Sequence, residues 1–214
     1  MKTRKWVSVL YCPGTNCETE TMAAFKLAGA HARLLFLDDL LEGRKMITDC
    51  DLFCVPGGFS FGDYIKEGQV AAIMIEEFVP ALTEAGIPSI WICNGFQIGG
   101  RLRVFGQGVT LTRNVSGVFC SQPVKHLVHV SKNIWTKGLE GQTLSFPSAH
   151  GGGLVVWEKP PRVAMSYVSR SPNGGLVAAL SSQDGLALGI MDHPERPYGN
   201  EDGHLIFKNG VAAV

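Results

Sequence analysis

VAAIMIEEFVPALTEAGIPSIWICNGFQ, residues 70–97, carries a helix, a stop, a strand and the start of a second helix in one run. Apolar side chains recur at helical spacing from Val70 and the pattern halts at Gly86, a residue that commonly closes helices. PSIWIC at 88–93 is short and apolar on both faces, as a strand covered on both sides must be. Working outward, WVSVLY at 6–11 breaks at CPGTN, and CETETMAAFKLAG at 17–29 places Met22, Phe25 and Ala28 or Gly29 on one helical face. ARLLF at 32–36 and DLFCV at 51–55 are further short apolar runs, the second cut off by PGG at 56–58. Strands alternating with amphipathic helices predict an α/β fold with a doubly wound, mostly parallel sheet, whose strand tips are where ligands bind.

Past residue 108 the rhythm changes. PVKHLVHV at 123–130, GLVVW at 153–157, RVAMSYV at 162–168 and GLVAALS at 175–181 are strand candidates separated by Gly, Pro and Asn, predicting extra antiparallel strands or hairpins around the parallel core. LALGIM at 186–191 is a last core strand, running into DHPER, and YGNEDGHLIF at 198–207 adds one further element. With no linker, repeat or low-complexity tract, residues 1–214 are expected to form one domain.

Composition narrows the function classes. Lys plus Arg and Asp plus Glu number 19 each, so the chain has none of the surplus basic charge that holds phosphate backbones or anionic lipid, and neither nucleic acid nor membrane is an expected partner. No apolar run approaches the roughly 18 residues that cross a bilayer, and the apolar stretch of MKTRKWVSVLYC is too short for a signal peptide, so a cytoplasmic protein is expected. The six cysteines, at 12, 17, 50, 54, 93 and 120, form no CxxC pair and none neighbours a His at zinc spacing; no metal is expected. His126 and His129 sit three apart in a strand-like run and should face opposite sides. No GxxxxGK[ST] or helix-opening GxGxxG occurs, so no nucleotide cofactor is expected on this chain.

Three segments could carry chemistry. Cys93 stands where the buried strand gives way to a helix, with Gly95 permitting a tight turn: the geometry of a nucleophile elbow, where the helix dipole also favours a thiolate. A small buried core cysteine fits this segment about as well. In MDHPER, directly after the last apolar strand, His193 and Glu195 are two apart and emerge on one face if strand geometry continues, so Glu195 can orient an imidazole whose other nitrogen faces Cys93. Taken alone, HPE also reads as a solvated polar turn. The glycine pair 57–58 frees backbone N–H groups at a strand tip, and those of Gly58 and Asn94 would form an oxyanion hole; a plain glycine turn fits PGG equally well if Cys93 is inert.

With those residues in view, the sequence resembles the class I glutamine amidotransferases, whose nucleophile lies in GxCxG and whose His and Glu lie in a late HPE. Within that class it is similar to the glutaminase subunits of phosphoribosylformylglycinamidine synthases. The resemblance rests on PGTNCETE (13–20), PGGFSFGDY (56–64), CNGFQ (93–97), RN (113–114), AHG (149–151), PNGG (172–175) and HPER (193–196). It implies a flavodoxin-like sheet and a Cys93–His193–Glu195 triad that hydrolyses glutamine to glutamate and ammonia. Gly57, Gly58, Asn94 and Gln97 would supply the oxyanion hole and glutamine contacts. It also implies a synthetase partner, with ATP and magnesium on that partner, and a small accessory subunit.

Four features depart from the pattern. Trp91 replaces the first glycine of GxCxG and is expected to crowd the thiol; Asp192 replaces a usual proline and is expected to raise the pKa of His193. His150 is followed by GGG where the class usually has GEG, and GGRLRVFGQG at 99–108 is unlike the usual apolar helix and loop. Two alternatives stay open at this level: another cysteine hydrolase on the same scaffold, against which the late HPE counts, and a silent interaction protein, which Trp91 favours.

Overall fold

The computed structural model describes residues 4–62, 68–169, 171–196 and 201–214. Asp63 and Tyr64 of PGGFSFGDY, and Tyr198–Asn200 of the closing segment, lie outside the described residues. The strands are β1 (Trp6–Tyr11), β2 (His31–Phe36), β3 (Leu52–Val55), β4 (Ser89–Ile92), β5 (Thr110–Thr112), β6 (Cys120–Val128), β7 (Thr143–His150), β8 (Leu154–Val156), β9 (Arg162–Tyr167), β10 (Val177–Ser181) and β11 (Ala187–Ile190). The helices are α1 (Glu18–Leu27), α2 (Leu37–Leu41), α3 (Gln69–Ile75), α4 (Val79–Glu84), α5 (Asn94–Arg101) and α6 (Asp202–Ala212).

Nine strands form one sheet in the order β2-β1-β3-β4-β11-β10-β9-β6-β7, with β5 and β8 as a separate pair. From β2 to β11 neighbours run parallel; from β11 to β7 they run antiparallel. The predicted parallel core and antiparallel extension are both present. β3, β4 and β11 are buried at every position, which requires cover on both faces of the sheet. On the α1–α6 side Phe25 meets the Phe207 ring edge-on, centroids 4.8 Å apart, and Trp135 packs against the same Phe25 ring at 6.4 Å.

The helix expected over 70–86 is two helices. Pro80, in the first turn of α4, has no N–H to donate, and its ring clashes with the carbonyl four residues back, so the chain breaks after Ile75 and restarts at Val79. β7 was not among the predicted strands. TLSFPSAH carries Pro147 in its middle, a residue that demotes a run to non-strand or edge strand, and β7 is indeed the edge, with Pro147 opposite Pro123. The further element expected in the closing segment is α6.

The edge strand also reaches the carboxyl end of the parallel sheet. β7 crosses the tip of β11, where its Pro147 carbonyl accepts the N–H of His193 at 2.9 Å. The antiparallel arm therefore brings residues 149–153 over the carboxyl ends of the parallel strands.

Candidate active site

Cys93 occupies the junction between β4 and α5 with φ 52° and ψ −109°, a conformation that costs an ordinary residue about 1–3 kcal/mol. Two things hold it there. Its N–H donates to the Ile190 carbonyl at 2.8 Å, and α5 approaches β3 so closely that a Cβ at Gly95 would strike the Val55 carbonyl oxygen. The strain turns the thiol outward, 7% exposed, with Sγ 3.9 Å from the Ala149 carbonyl. The predicted elbow is the observed one.

His193 follows β11, the neighbour of β4, and is buried. Its Nδ1 donates to Glu195 Oε1 at 2.6 Å, which fixes the ring and its tautomer. Burial pushes the imidazole toward its neutral form, but the Glu195 carboxylate and the Cys93 sulfur more than offset that, and its pKa is held well above the usual value. Nε2 has no formed hydrogen bond. The Cys93 sulfur is close enough to raise the ring's pKa, and the pair has the loose geometry expected before substrate binds.

Gly57 fixes how close these groups come. A Cβ there would lie 2.9 Å from His193 Cε1, 3.0 Å from Cys17 Sγ and 3.4 Å from Cys93 Cβ, so a larger residue would press on His193 and Cys17 and shift them relative to Cys93. Its carbonyl accepts the N–H groups of Asn16 and Cys17. Gly57 therefore spaces the site and does not line the cavity over the thiol.

That cavity, about 70 Å³, is lined by Gly58, Phe59, Cys93, Asn94, Gln97, Phe119, Met191 and the 149–152 segment. Gly58, Asn94 and Gln97 thus meet beside the nucleophile as the sequence predicts. Asn94 Nδ2 donates to Gln97 Oε1 at 2.9 Å, and Gln97 Nε2 donates to the Gly152 carbonyl at 2.8 Å, so the two amides tie α5 to the antiparallel arm. A larger cavity, 660 Å³, lies at the opposite ends of β4 and β11, beside Ser89 and Ala187, away from all these groups.

Trp91 does not crowd the thiol. Its ring turns toward the base of the sheet, where Nε1 donates to Ser89 Oγ at 2.9 Å, Phe53 meets it edge-on at 6.0 Å, and Gly99 of α5 leaves room for it. The GGRLRVFGQG stretch thus supplies the space that a large residue at 91 needs. The expectation for Asp192 also fails. Its side chain leaves the strand on the face opposite His193 and pairs with His126 and Tyr167, so it is not what charges His193.

His126 and His129 do face opposite sides, His126 onto Asp192 and His129 onto Ser166. Sequence reasoning missed Cys17. Its sulfur is buried, 4.0 Å from His193 Nδ1, and accepts from Arg196 Nη2 at 3.1 Å. Burial raises its pKa despite the His193 contact, so it stays a thiol. Only its place in PGTNCETE pointed to it. Cys17, His193 and Glu195 place three potential ligand atoms within 4.8 Å, but the Arg196 guanidinium sits on the sulfur where a cation's charge would have to go.

A thiol on an elbow, an imidazole oriented by a buried carboxylate, and backbone donors at a neighbouring strand tip form a nucleophile–base–orienter set suited to acyl transfer. Residues 4–206 match the CobB/CobQ-like glutamine amidotransferase domain. The chain belongs to this family. Among the relatives of this amidotransferase, phosphoribosylformylglycinamidine synthase subunit PurQ of Thermotoga maritima is 35% identical over 98% of this chain and 97% of its own. The Pyrococcus horikoshii protein of the same name is 31% identical over 95% and 96%. A chain in the structure of PurLQS from Thermotoga maritima superposes with a TM-score of 0.89 at 30% identity, covering 99% of both chains.

Proposed function

We propose that this amidotransferase is the glutaminase subunit of a phosphoribosylformylglycinamidine synthase, producing ammonia for an ATP-dependent synthetase that makes formylglycinamidine ribonucleotide. Full-length similarity to PurQ proteins supports the assignment, and the buried His193–Glu195 pair beside Cys93 is the observation that carries the chemistry.

The Cys93 thiolate attacks the side-chain amide carbon of glutamine, forming a C–S bond and a tetrahedral oxyanion. The N–H groups of Gly58 and Asn94 receive that charge. His193, cationic at rest, gives its Nε2 proton to the departing nitrogen; the C–N bond breaks and ammonia leaves a glutamyl thioester. The ring then takes a proton from water, hydroxide attacks the thioester, and glutamate departs as the thiolate is restored. Glu195 keeps Nδ1 protonated throughout, and Gln97 seats the substrate. Gly57 acts by leaving room for Cys93 and His193 to approach each other.

The same assignment makes residues 1–214 one cytoplasmic domain with no cofactor of its own, ATP and magnesium being held by the synthetase, and with a small accessory subunit completing the assembly. No helix among the described residues is long and apolar enough to cross a membrane.

Intact-mass spectrometry after exposure to a diazo-ketone analogue of glutamine tests nucleophile, pocket and substrate together. A single adduct on Cys93 that excess glutamine prevents is expected. Labelling scattered over Cys12 and Cys120, or no adduct even with the synthetase present, would overturn the reading.

A further inference from the structure

Asp192 is a fully buried charge that glutamine hydrolysis at Cys93 does not use. Oδ2 accepts from His126 Nε2 at 2.7 Å and from the Tyr167 hydroxyl at 2.9 Å, and Oδ1 lies 3.6 Å from His150 Nε2. The three partners come from β6, β9 and β7, the antiparallel half of the sheet, while Asp192 lies two residues past the end of β11, the last parallel strand. Burial alone would neutralise the carboxyl; the two imidazoles outweigh it and keep the group ionised, with its pKa below the ordinary carboxylate range. A buried anion is retained only where such partners surround it. Proline, usual at this position in the class, has no oxygen for these contacts.

One of the three partners touches the substrate cavity. His150 lines it, and the rest of its surroundings are already fixed. Asn114 Nδ2 donates to the carbonyls of His150 at 3.0 Å and Val118 at 3.1 Å, which sets the amide's orientation. Its Oδ1 therefore accepts from the Gly153 N–H at 3.0 Å and from His150 Nδ1 at 3.2 Å. Asn173 Nδ2 holds the Gly153 carbonyl at 2.6 Å, and Gln97 holds that of Gly152. Asn114 of RN, Asn173 of PNGG and Gln97 of CNGFQ thus clamp residues 150–153 from both sides. On the Nε2 side of the His150 ring the Asp192 carboxylate lies at ion-pair distance, 3.6 Å, with no hydrogen bond formed between them.

We propose that Asp192 is a positioning residue for glutamine binding: it holds His150, and through it the 150–153 segment, as a fixed wall of the cavity over Cys93. The proposal rests on the glutamine reading of the site. Because His193 and Glu195 lie on the other face of the strand tip, loss of the Asp192 carboxylate weakens ground-state binding and spares the thiol's own reactivity.

Asp192→Asn keeps the volume and removes the charge. Its inactivation by the diazo-ketone glutamine analogue should show an inhibition constant raised at least tenfold, a limiting rate within threefold of wild type, and an unchanged rate of Cys93 alkylation by iodoacetamide. Asp192→Glu should recover part of the affinity. Should the Asn variant not fold, His150→Phe leaves the two donors on Oδ2 in place and should raise the inhibition constant by a similar factor. An inhibition constant that stays at the wild-type value in whichever variant folds overturns the proposal, as does an iodoacetamide rate that falls in parallel with analogue labelling, which would place Asp192 behind the thiol. Failure of the wild-type chain to label at Cys93 overturns the glutamine reading as well; normal wild-type labelling with an unaffected variant overturns only the role of Asp192.

Discussion

Replacing Glu195 by Gln removes one charge from a buried pair and little else. The carboxylate sits 2.6 Å from His193 Nδ1, with both side chains buried, so the contact is a charge-assisted hydrogen bond little weakened by solvent. Such a bond contributes about 1.5–3 kcal/mol. If the imidazolium is the form that both stabilises the thiolate and protonates ammonia, losing that amount should slow glutamine turnover roughly 10- to 150-fold at neutral pH. The pH profile should respond with a definite sign. Glu195 is the largest of the influences that raise the His193 pKa, so its loss lowers the folded value, and the alkaline limb of kcat/KM should move to lower pH. Stability should follow the same linkage. A raised folded pKa contributes stability fully below the unfolded imidazole value of about 6.5 and loses it as pH rises through the folded value, so the His193 contribution to the wild-type advantage over E195Q should shrink above pH 6.5. Glutamate release by the subunit with its synthetase, across pH 6–10, together with urea unfolding at several pH values, measures both. A variant with an unshifted alkaline limb and less than a threefold loss of rate would refute the ion-pair account.

Gly57→Ala inserts a methyl 2.9 Å from His193 Cε1 and 3.0 Å from Cys17 Sγ, and turnover should fall at least tenfold, about 1.4 kcal/mol of barrier, in a protein whose melting curve stays cooperative. Cys93→Gly removes both nucleophile and backbone strain; it should be inactive yet more stable to urea than Cys93→Ala by about 1–3 kcal/mol, since only glycine adopts φ 52°, ψ −109° cheaply. Trp91→Gly restores the motif residue of the class but empties a core site. Calorimetry should show a loss of about 3–5 kcal/mol, and turnover should not rise.

Much of this molecule is written locally. The alternation of apolar runs and helices from Trp6 to Gln97, with LALGIM at 186–191, determines the strands of the parallel half, because each run there is specified by its own periodicity and stop signals; the break between α3 and α4 and the short α2 are not read that way. The elbow at Cys93 and the paired faces of His193 and Glu195 are legible for the same reason: each depends on spacings of two or three residues. What tertiary structure alone decided involves partners far apart in the chain. β7, with a proline at its centre, becomes a strand only because it lies at the sheet's edge, and only its path across β11 places Ala149 and His150 beside Cys93. Trp91 is harmless because Gly99 happens to face it, and Asp192 turns away from His193 because two donors, from positions 126 and 167, converge on the opposite face with the His150 ring beside them. No local pattern encodes those convergences. They arise from how the two halves of the sheet close on each other, and a buried carboxylate or indole settles where that closure provides its hydrogen bonds.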